Sequence, residues 1–381
     1  VTDESRQRVT WAELFFDLVW VFAITQIATT LAGVHSAGEV ARTLLLFVPL
    51  WWGWVGVTLF GNAAGAALDG ARGRLLLFVL AALGLGMSVA VPHALGDRGL
   101  FFAGCYFVLR LLLWLAMRRT PFFGGLRLEP FAVGLFVSGP LFIAGALLTG
   151  SGRIALWAAA ALSEVISPAL LGGRLDRIRF QTEHLPERFG LFVIIALGET
   201  VVAIGSTAST RFSALTVGTL ALSLGLIVGL WWTYFHYGAP AVQHSLETNE
   251  VQSRIVRDVF SYGHFVYVAA IICVAVGLKR MLAAPLATPH QVPGLLLPLG
   301  VGVYLLGFCW ARWRMFGAAA LPRLIGSMAC FAIAAAAPWL PALLVAGLIA
   351  TVLLSVNSIE AWIVETKRPL PVLRLPHRAS S

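Results

Sequence analysis

The chain has 381 residues, 59% of them hydrophobic and 12% charged, with a formal net charge of +9 and a mean hydropathy of +0.86. That balance excludes both a disordered chain and an ordinary water-soluble globular protein, and it places the sequence in the membrane class. The basic excess suggests nucleic acid only until its distribution is read.

About 20 apolar residues cross roughly 30 Å of hydrocarbon as a helix. Twelve such runs are predicted, near 11–32, 40–61, 75–95, 99–117, 131–149, 153–171, 186–206, 213–236, 259–279, 293–311, 323–338 and 341–362. They are continuous rather than alternating, so helices are expected and a closed barrel is not. The predicted fold is an all-α integral membrane protein of about 12 transmembrane helices.

The first run opens Thr10-Trp11-Ala12-Glu13, a capping box in which the glutamate satisfies a free N–H at the helix start. Asp17 follows four residues later, on the same face and about 6 Å further along the axis. Glu13 therefore carries a capping reading and a site reading, whereas capping does not account for Asp17. The second run holds Trp51 and Trp52, and the eighth holds Trp231 and Trp232; each pair reads as packing or interface aromatics, or as a wall facing a ligand. Arg110 in the fourth run and Glu164 in the sixth have opposite signs at similar depth, which predicts a pair, either scaffold or part of a site. The seventh run begins His184-Leu185-Pro186-Glu187-Arg188, with proline in a favourable first-turn position and Glu187 at the positive end of the helix dipole. Glu199 lies roughly 18 Å deeper, where no end effect explains it. It suits a proton-coupled site; an ion pair with Arg110 or a helix–helix hydrogen bond is the alternative. Asn62, His236, Asp258 and His264 are expected at span mouths at the depth of Asp17 and Glu187, lining a vestibule. His264 is the best titrating candidate there, with hydrogen-bonded packing as its other reading. Glu360, late in the twelfth run, is expected to be structural.

Twenty of the 27 Lys and Arg residues fall on the side of the N-terminus, six fall opposite and Arg110 lies inside a span. The positive-inside rule then puts both termini in the cytoplasm of a multi-pass plasma-membrane protein, and the basic charge needs no nucleic-acid partner. No cleavable signal peptide is expected, because the first apolar run is long and carries Glu13 and Asp17. Cys105, Cys273, Cys309 and Cys330 all fall in spans without a paired motif and are expected as buried thiols.

Leu50-Trp51-Trp52 recurs as Leu230-Trp231-Trp232, Leu14-Phe15 as Leu191-Phe192, and Tyr106 has a counterpart in Tyr304. Six spans separate the partners, so two parallel six-helix halves are expected, 11–171 and 186–362. They are joined by a basic cytoplasmic linker, 172–185, and flanked by cytoplasmic segments 1–10 and 363–381. Coincidence in an apolar alphabet is the competing explanation.

The segment Arg8-Val9-Thr10-Trp11-Ala12-Glu13-Leu14-Phe15-Phe16-Asp17-Leu18-Val19, followed by Glu187-Arg188-Phe189-Gly190-Leu191-Phe192 and Leu197-Gly198-Glu199, resembles the bacterial low-temperature-requirement protein A family over nearly the whole chain. The resemblance implies a multi-pass membrane protein and sets Glu13, Asp17, Glu187, Arg188 and Glu199 within family motifs. It brings no reaction or substrate. His236 departs from it, standing where an acid is expected.

Two function classes follow. One is a transporter or permease for a small solute or proton, with Asp17, Glu199 and Arg110 at its core, protonation of Glu199 or His264 as the coupling event, and no cofactor. The other is an integral-membrane enzyme acting on a lipid or isoprenoid diphosphate at a cytoplasm-facing acidic pocket. It would use Glu13, Asp17, Glu187 and Arg188, with Mg²⁺ held by Glu13, Asp17 and Glu187. Soluble catalytic signatures are missing from the sequence, and the oligomeric state is not encoded in it.

Overall fold

The structure, a computed structural model, describes residues 9–120, 129–172, 178–208, 213–249, 251–289 and 292–374. Arg6, Arg8, Arg127, Arg174, Arg177, Arg211 and Arg378 of the charge pattern lie outside the described residues, as do parts of segments 1–10, 172–185 and 363–381. Among the described residues every long apolar segment is helical, as a chain in hydrocarbon must be if each backbone N–H and C=O is to be satisfied within its own segment.

Twelve helical stretches follow the expected order. They are α1 Trp11–Ala32, α2 Ala37–Asp69, α3 Ala71–His93, α4 Gly99–Met117, α5 Pro130–Ala146, α6 Gly150–Leu170, α7 His184–Ala208, α8 Ala214–Thr248, α9 Gln252–Ala283, α10 Val292–Phe316, α11 Leu321–Trp339 and α12 Ala342–Glu365. Among the described residues eleven helices are long and apolar enough to span a bilayer, whereas α5 is shorter. Within α5 the turn Gly134–Ser138 is π-helical; so are Thr233–Gly238 in α8 and Val256–Gly263 in α9. Such turns insert one residue and re-aim the side chains beyond it.

Helix ends follow local chemistry. Thr10 and Glu13 close the capping box on α1: the Thr10 backbone N–H donates to Glu13 Oε2 at 3.0 Å, and the Glu13 N–H donates to Thr10 Oγ1 at 3.3 Å. Ser213 caps α8 by accepting from the Thr216 N–H at 3.1 Å. Gly150, at φ +59°, makes the tight corner between α5 and α6, a conformation that costs a residue bearing Cβ. After α10 the chain forms β1, Ala318–Ala320, which pairs antiparallel with β2, Val372–Arg374.

The chain divides into two compact units. The first comprises Val1–Thr30, Gly38–Phe192 and Leu246–Arg257; the second comprises Leu31–Ala37, Val193–Ser245 and Asp258–Ser381. The two units interleave along the chain, and one of their boundaries falls within α7. In the first unit α3 packs on α4, α4 on α5 and α5 on α6; in the second α9 packs on α10, α10 on α11, and α8 and α11 on α12. Lipid tails are as apolar as leucine, so close packing has to hold such helices together. Gly277 supplies it between α9 and α10, where a Cβ would stand 2.5 Å from the Leu297 backbone nitrogen. In the first unit the core is aromatic: Trp54 lies 4.2 Å from Phe192 and 4.9 Å from Phe189, ring centre to ring centre. Leu75, Leu85, Val228 and Leu354 are exposed, as side chains facing lipid would be. Cys309 and Cys330 are buried, Cys105 and Cys273 half-buried, and all four are free thiols.

Candidate functional site

Two helices of the first unit each present a pair of polar side chains one turn apart: Glu13 and Asp17 from α1, His184 and Arg188 from α7. All four are fully buried. The capping box holds Glu13 at the start of α1, and Glu13 nonetheless also faces inward. Arg188 Nη1 donates to Glu13 Oε1 at 2.7 Å and Nη2 donates to Asp17 Oδ1 at 2.6 Å, so one guanidinium bridges both carboxylates. Trp54 Nε1 donates to the same Asp17 oxygen at 2.8 Å. His184 Nε2 lies 3.1 Å from Glu13 Oε1. Gly61 faces this cluster, because a Cβ there would collide with Glu13 Oε1.

Asn62 reaches the other ring nitrogen of His184. The Asn62 side chain is oriented by the Gln181 backbone: its Nδ2 donates to the Gln181 carbonyl and its Oδ1 accepts from the Gln181 N–H, both at 3.2 Å. The same Nδ2 lies 3.5 Å from His184 Nδ1, so both ring nitrogens of His184 have polar neighbours, Glu13 at Nε2 and Asn62 at Nδ1.

Two carboxylates share one guanidinium and one histidine, and an uncompensated buried charge costs several kcal/mol. Asp17 Oδ2 is buried without a hydrogen-bond partner, which leaves an acceptor open in that cluster. Thr58, between Trp54 and Asn62 on the same face of α2, also has a buried hydroxyl without a partner.

Three other buried or part-buried acids are paired with arginines. Arg110 Nη2 and the Tyr106 hydroxyl both donate to Glu164, giving the predicted Arg110–Glu164 pair one charge of each sign. Gly134 makes room for this pair, since a Cβ there would run into the Arg110 guanidinium. In the second unit Arg314 Nε donates to Asp258 at 2.7 Å. Arg323 grips Glu360 with two bonds of 2.6 and 2.7 Å, giving Glu360 the structural place expected of it. Arg153, counted as an outer loop charge, is buried and donates to the Leu148, Ala94 and Ala146 carbonyls at the α3–α4 and α5–α6 corners. Arg188 and Arg323, counted as cytoplasmic, are likewise buried, while Arg42 and Arg72 stay exposed.

The remaining expected site residues separate. Glu187 is exposed and accepts from the Val9 N–H at 3.3 Å, apart from the buried carboxylates. Glu13, Asp17 and Glu187 therefore do not form the metal triad that the enzyme reading needs: the Arg188 guanidinium already sits between Glu13 and Asp17, and among the described residues no three Asp, Glu, His or Cys side chains converge. Arg188 itself is sealed inside and is not open to a diphosphate. Glu199 is half-buried and makes no hydrogen bond or ion pair among the described residues. His264 has both ring nitrogens engaged, Nδ1 with the Val259 carbonyl at 2.9 Å and Nε2 with the Tyr234 hydroxyl at 2.7 Å, which is the geometry of a hydrogen-bonded packing residue. His236 is exposed and lies over Trp232 at 4.9 Å. Trp51 and Trp52 are buried, whereas Trp231 and Trp232 are each 41% exposed. Just ahead of α5, Glu129 is buried with Oε2 unpartnered; desolvation pushes its carboxyl up to about 7 against the opposing pull of Arg118.

Sequence reasoning did not nominate His184 or Trp54. The i, i+4 spacing of His184 and Arg188, the same as that of Glu13 and Asp17, was the available signal.

The sequence profile of the bacterial low temperature requirement A protein (LtrA) family matches residues 8–358. A protein of Rhizobium meliloti (strain 1021), named Uncharacterized protein RA0937, is 32% identical over 323 residues, which cover 82% of this chain and 78% of that protein. No solved structure matches the chain.

Proposed function

This chain belongs to the bacterial low-temperature-requirement A family of multi-pass membrane proteins, and we propose that it is a transporter whose coupling centre is the buried cluster of Glu13, Asp17, His184 and Arg188. The observation that carries this reading is Asp17 Oδ2, a buried carboxylate oxygen left without a partner in a cluster where two carboxylates share a single guanidinium. Binding one proton or one small cation there gives that oxygen a partner, and releasing it leaves the oxygen open again. A buried ionisable group that gains and loses a positive charge is the element a coupled transporter requires. Glu13 is the fixed member, tied by the capping box, His184 and Arg188. Asp17 is the loading member, and Trp54 together with Arg188 holds its other oxygen in place.

The coupling role expected of Glu199 or His264 passes to Asp17 on this reading. The lipid-enzyme alternative is favoured by no specific observation.

Infrared spectroscopy of the protein in lipid tests the site. The wild-type chain is expected to show a protonated-carboxyl carbonyl band near neutral pH with a component that Asp17→Asn removes. Identical spectra of wild type and variant in that region would rule out proton loading at Asp17.

A further inference from the structure

The second unit contains a cavity of about 370 Å³ lined from α8, α9, α10, α11 and α12, a volume within the usual ligand-pocket range of about 300–1,000 Å³. Its floor is aromatic, with Tyr267 and Phe308 stacked at 4.3 Å and 14°. Its lining carries Arg312, Arg323, Lys367 and Arg368 against one acid, Glu360. Glu360 is already engaged by Arg323 through both oxygens, so Arg312, Lys367 and Arg368 line the cavity without a hydrogen-bonded carboxylate among the described residues.

Arg312 and Arg368 each rest on an aromatic ring, and Lys367 and Arg368 are exposed at the cavity's end of α12. The Arg312 guanidinium rests over Phe316 at 5.3 Å, and its Nε is buried without a hydrogen-bond partner. Arg368 lies over Trp362 at 4.4 Å. Lys367 occupies the left-handed position that ends α12, at φ 53°. The Arg368 N–H returns to the Ile363 carbonyl at 3.0 Å and the Lys367 N–H to the Val364 carbonyl at 3.1 Å, the two bonds of a Schellman ending. Glycine is the low-energy residue at that position. A lysine stands there instead, at a conformational cost, and it lines the cavity. Phe316 and Val364, which also line the cavity, are 44% and 59% exposed and give it an apolar edge.

We propose that this cavity binds a phosphate-bearing amphiphile, an anionic phospholipid whose headgroup phosphate sits among Arg312, Lys367 and Arg368 while its hydrocarbon leaves past Phe316 and Val364. Basic pockets between membrane helices recognise anionic headgroups in this way.

The test uses the full chain in neutral detergent, titrated separately with phosphatidylglycerol, phosphatidylcholine and inorganic phosphate. Thermal stability and bound lipid by native mass spectrometry are followed together. Phosphatidylglycerol is expected to bind and raise Tm, phosphatidylcholine to do neither, and inorganic phosphate to act only at concentrations at least tenfold higher. Arg312→Gln and Lys367→Gly are each expected to weaken phosphatidylglycerol at least tenfold, while the exposed Arg72→Gln, which removes the same charge, leaves it unchanged. Lys367→Gly separates binding from folding, because glycine suits the backbone better yet removes the ammonium. Equal binding of the two lipids, or wild-type affinity in both cavity variants, would overturn the site. Inorganic phosphate acting at the same concentration as phosphatidylglycerol would overturn the role of the apolar edge.

Discussion

Glu13 combines two roles that sequence reading set against each other. It closes the capping box on α1 and also takes the Arg188 guanidinium at 2.7 Å. Its neighbour Asp17 keeps one oxygen engaged and the other empty. Charge counting therefore predicts opposite outcomes for two substitutions in one network. Arg188→Gln strands two buried carboxylates and should lower stability by about 3–5 kcal/mol. Asp17→Asn leaves Glu13 and Arg188 balanced, and the Asn carbonyl can still accept from Trp54 and Arg188, so its change should stay within about 1 kcal/mol. Thermal unfolding of both variants in the same lipid checks the ordering; equal losses would make the cluster a plain scaffold. The pairing of Arg110 with Glu164 was legible in the sequence because two opposite charges at one depth have few other partners in hydrocarbon. His184 was not, because at a helix start it reads as an end residue, and only the fold shows that this end is buried against Asn62 and Glu13.

At the scale of elements, eleven helices stand where apolar runs of spanning length predict them, since hydrocarbon thickness and backbone hydrogen bonding leave little choice. The internal character of α5 was not legible. Its π turn, Gly134–Ser138, has no composition that marks it, and its purpose appears only in three dimensions, where Gly134 stands against the Arg110 guanidinium. Gly134→Ala should therefore displace Arg110 from Glu164 and cost about 2 kcal/mol or more. Gly104→Ala, on α4 with nothing within 4 Å of the added Cβ, should be neutral or gain a few tenths of a kcal/mol from helix propensity. Parallel unfolding curves for the two alanine variants decide it; equal effects would mean that Gly134 is not needed for the ion pair.

At the scale of the whole molecule, membrane class was legible from composition and family from the Trp11–Leu18 motif, because both rest on residues that are read locally. The repeat was not so readily judged. The matched tryptophan pairs occupy different environments, Trp51 and Trp52 buried and Trp231 and Trp232 exposed, so the shared letters do not mark a shared role. Charge asymmetry among the exposed loops remains the basis for expecting cytoplasmic termini, and the burial of Arg188, Arg153 and Arg323 removes charges from both sides of that count. What composition could not supply is charge stoichiometry. That emerges only when Glu13, Asp17, His184 and Arg188 are seen together, and it is the basis for reading this family member as a transporter. The most direct measurement is solute-driven proton movement in proteoliposomes, followed with an internal pH dye over a panel of amino acids, monocarboxylates, sugars and small organic cations. Wild-type vesicles are expected to change internal pH with at least one solute class, and Asp17→Asn vesicles to show less than a tenth of that rate. Equal rates in the two preparations would contradict a coupling centre at Asp17.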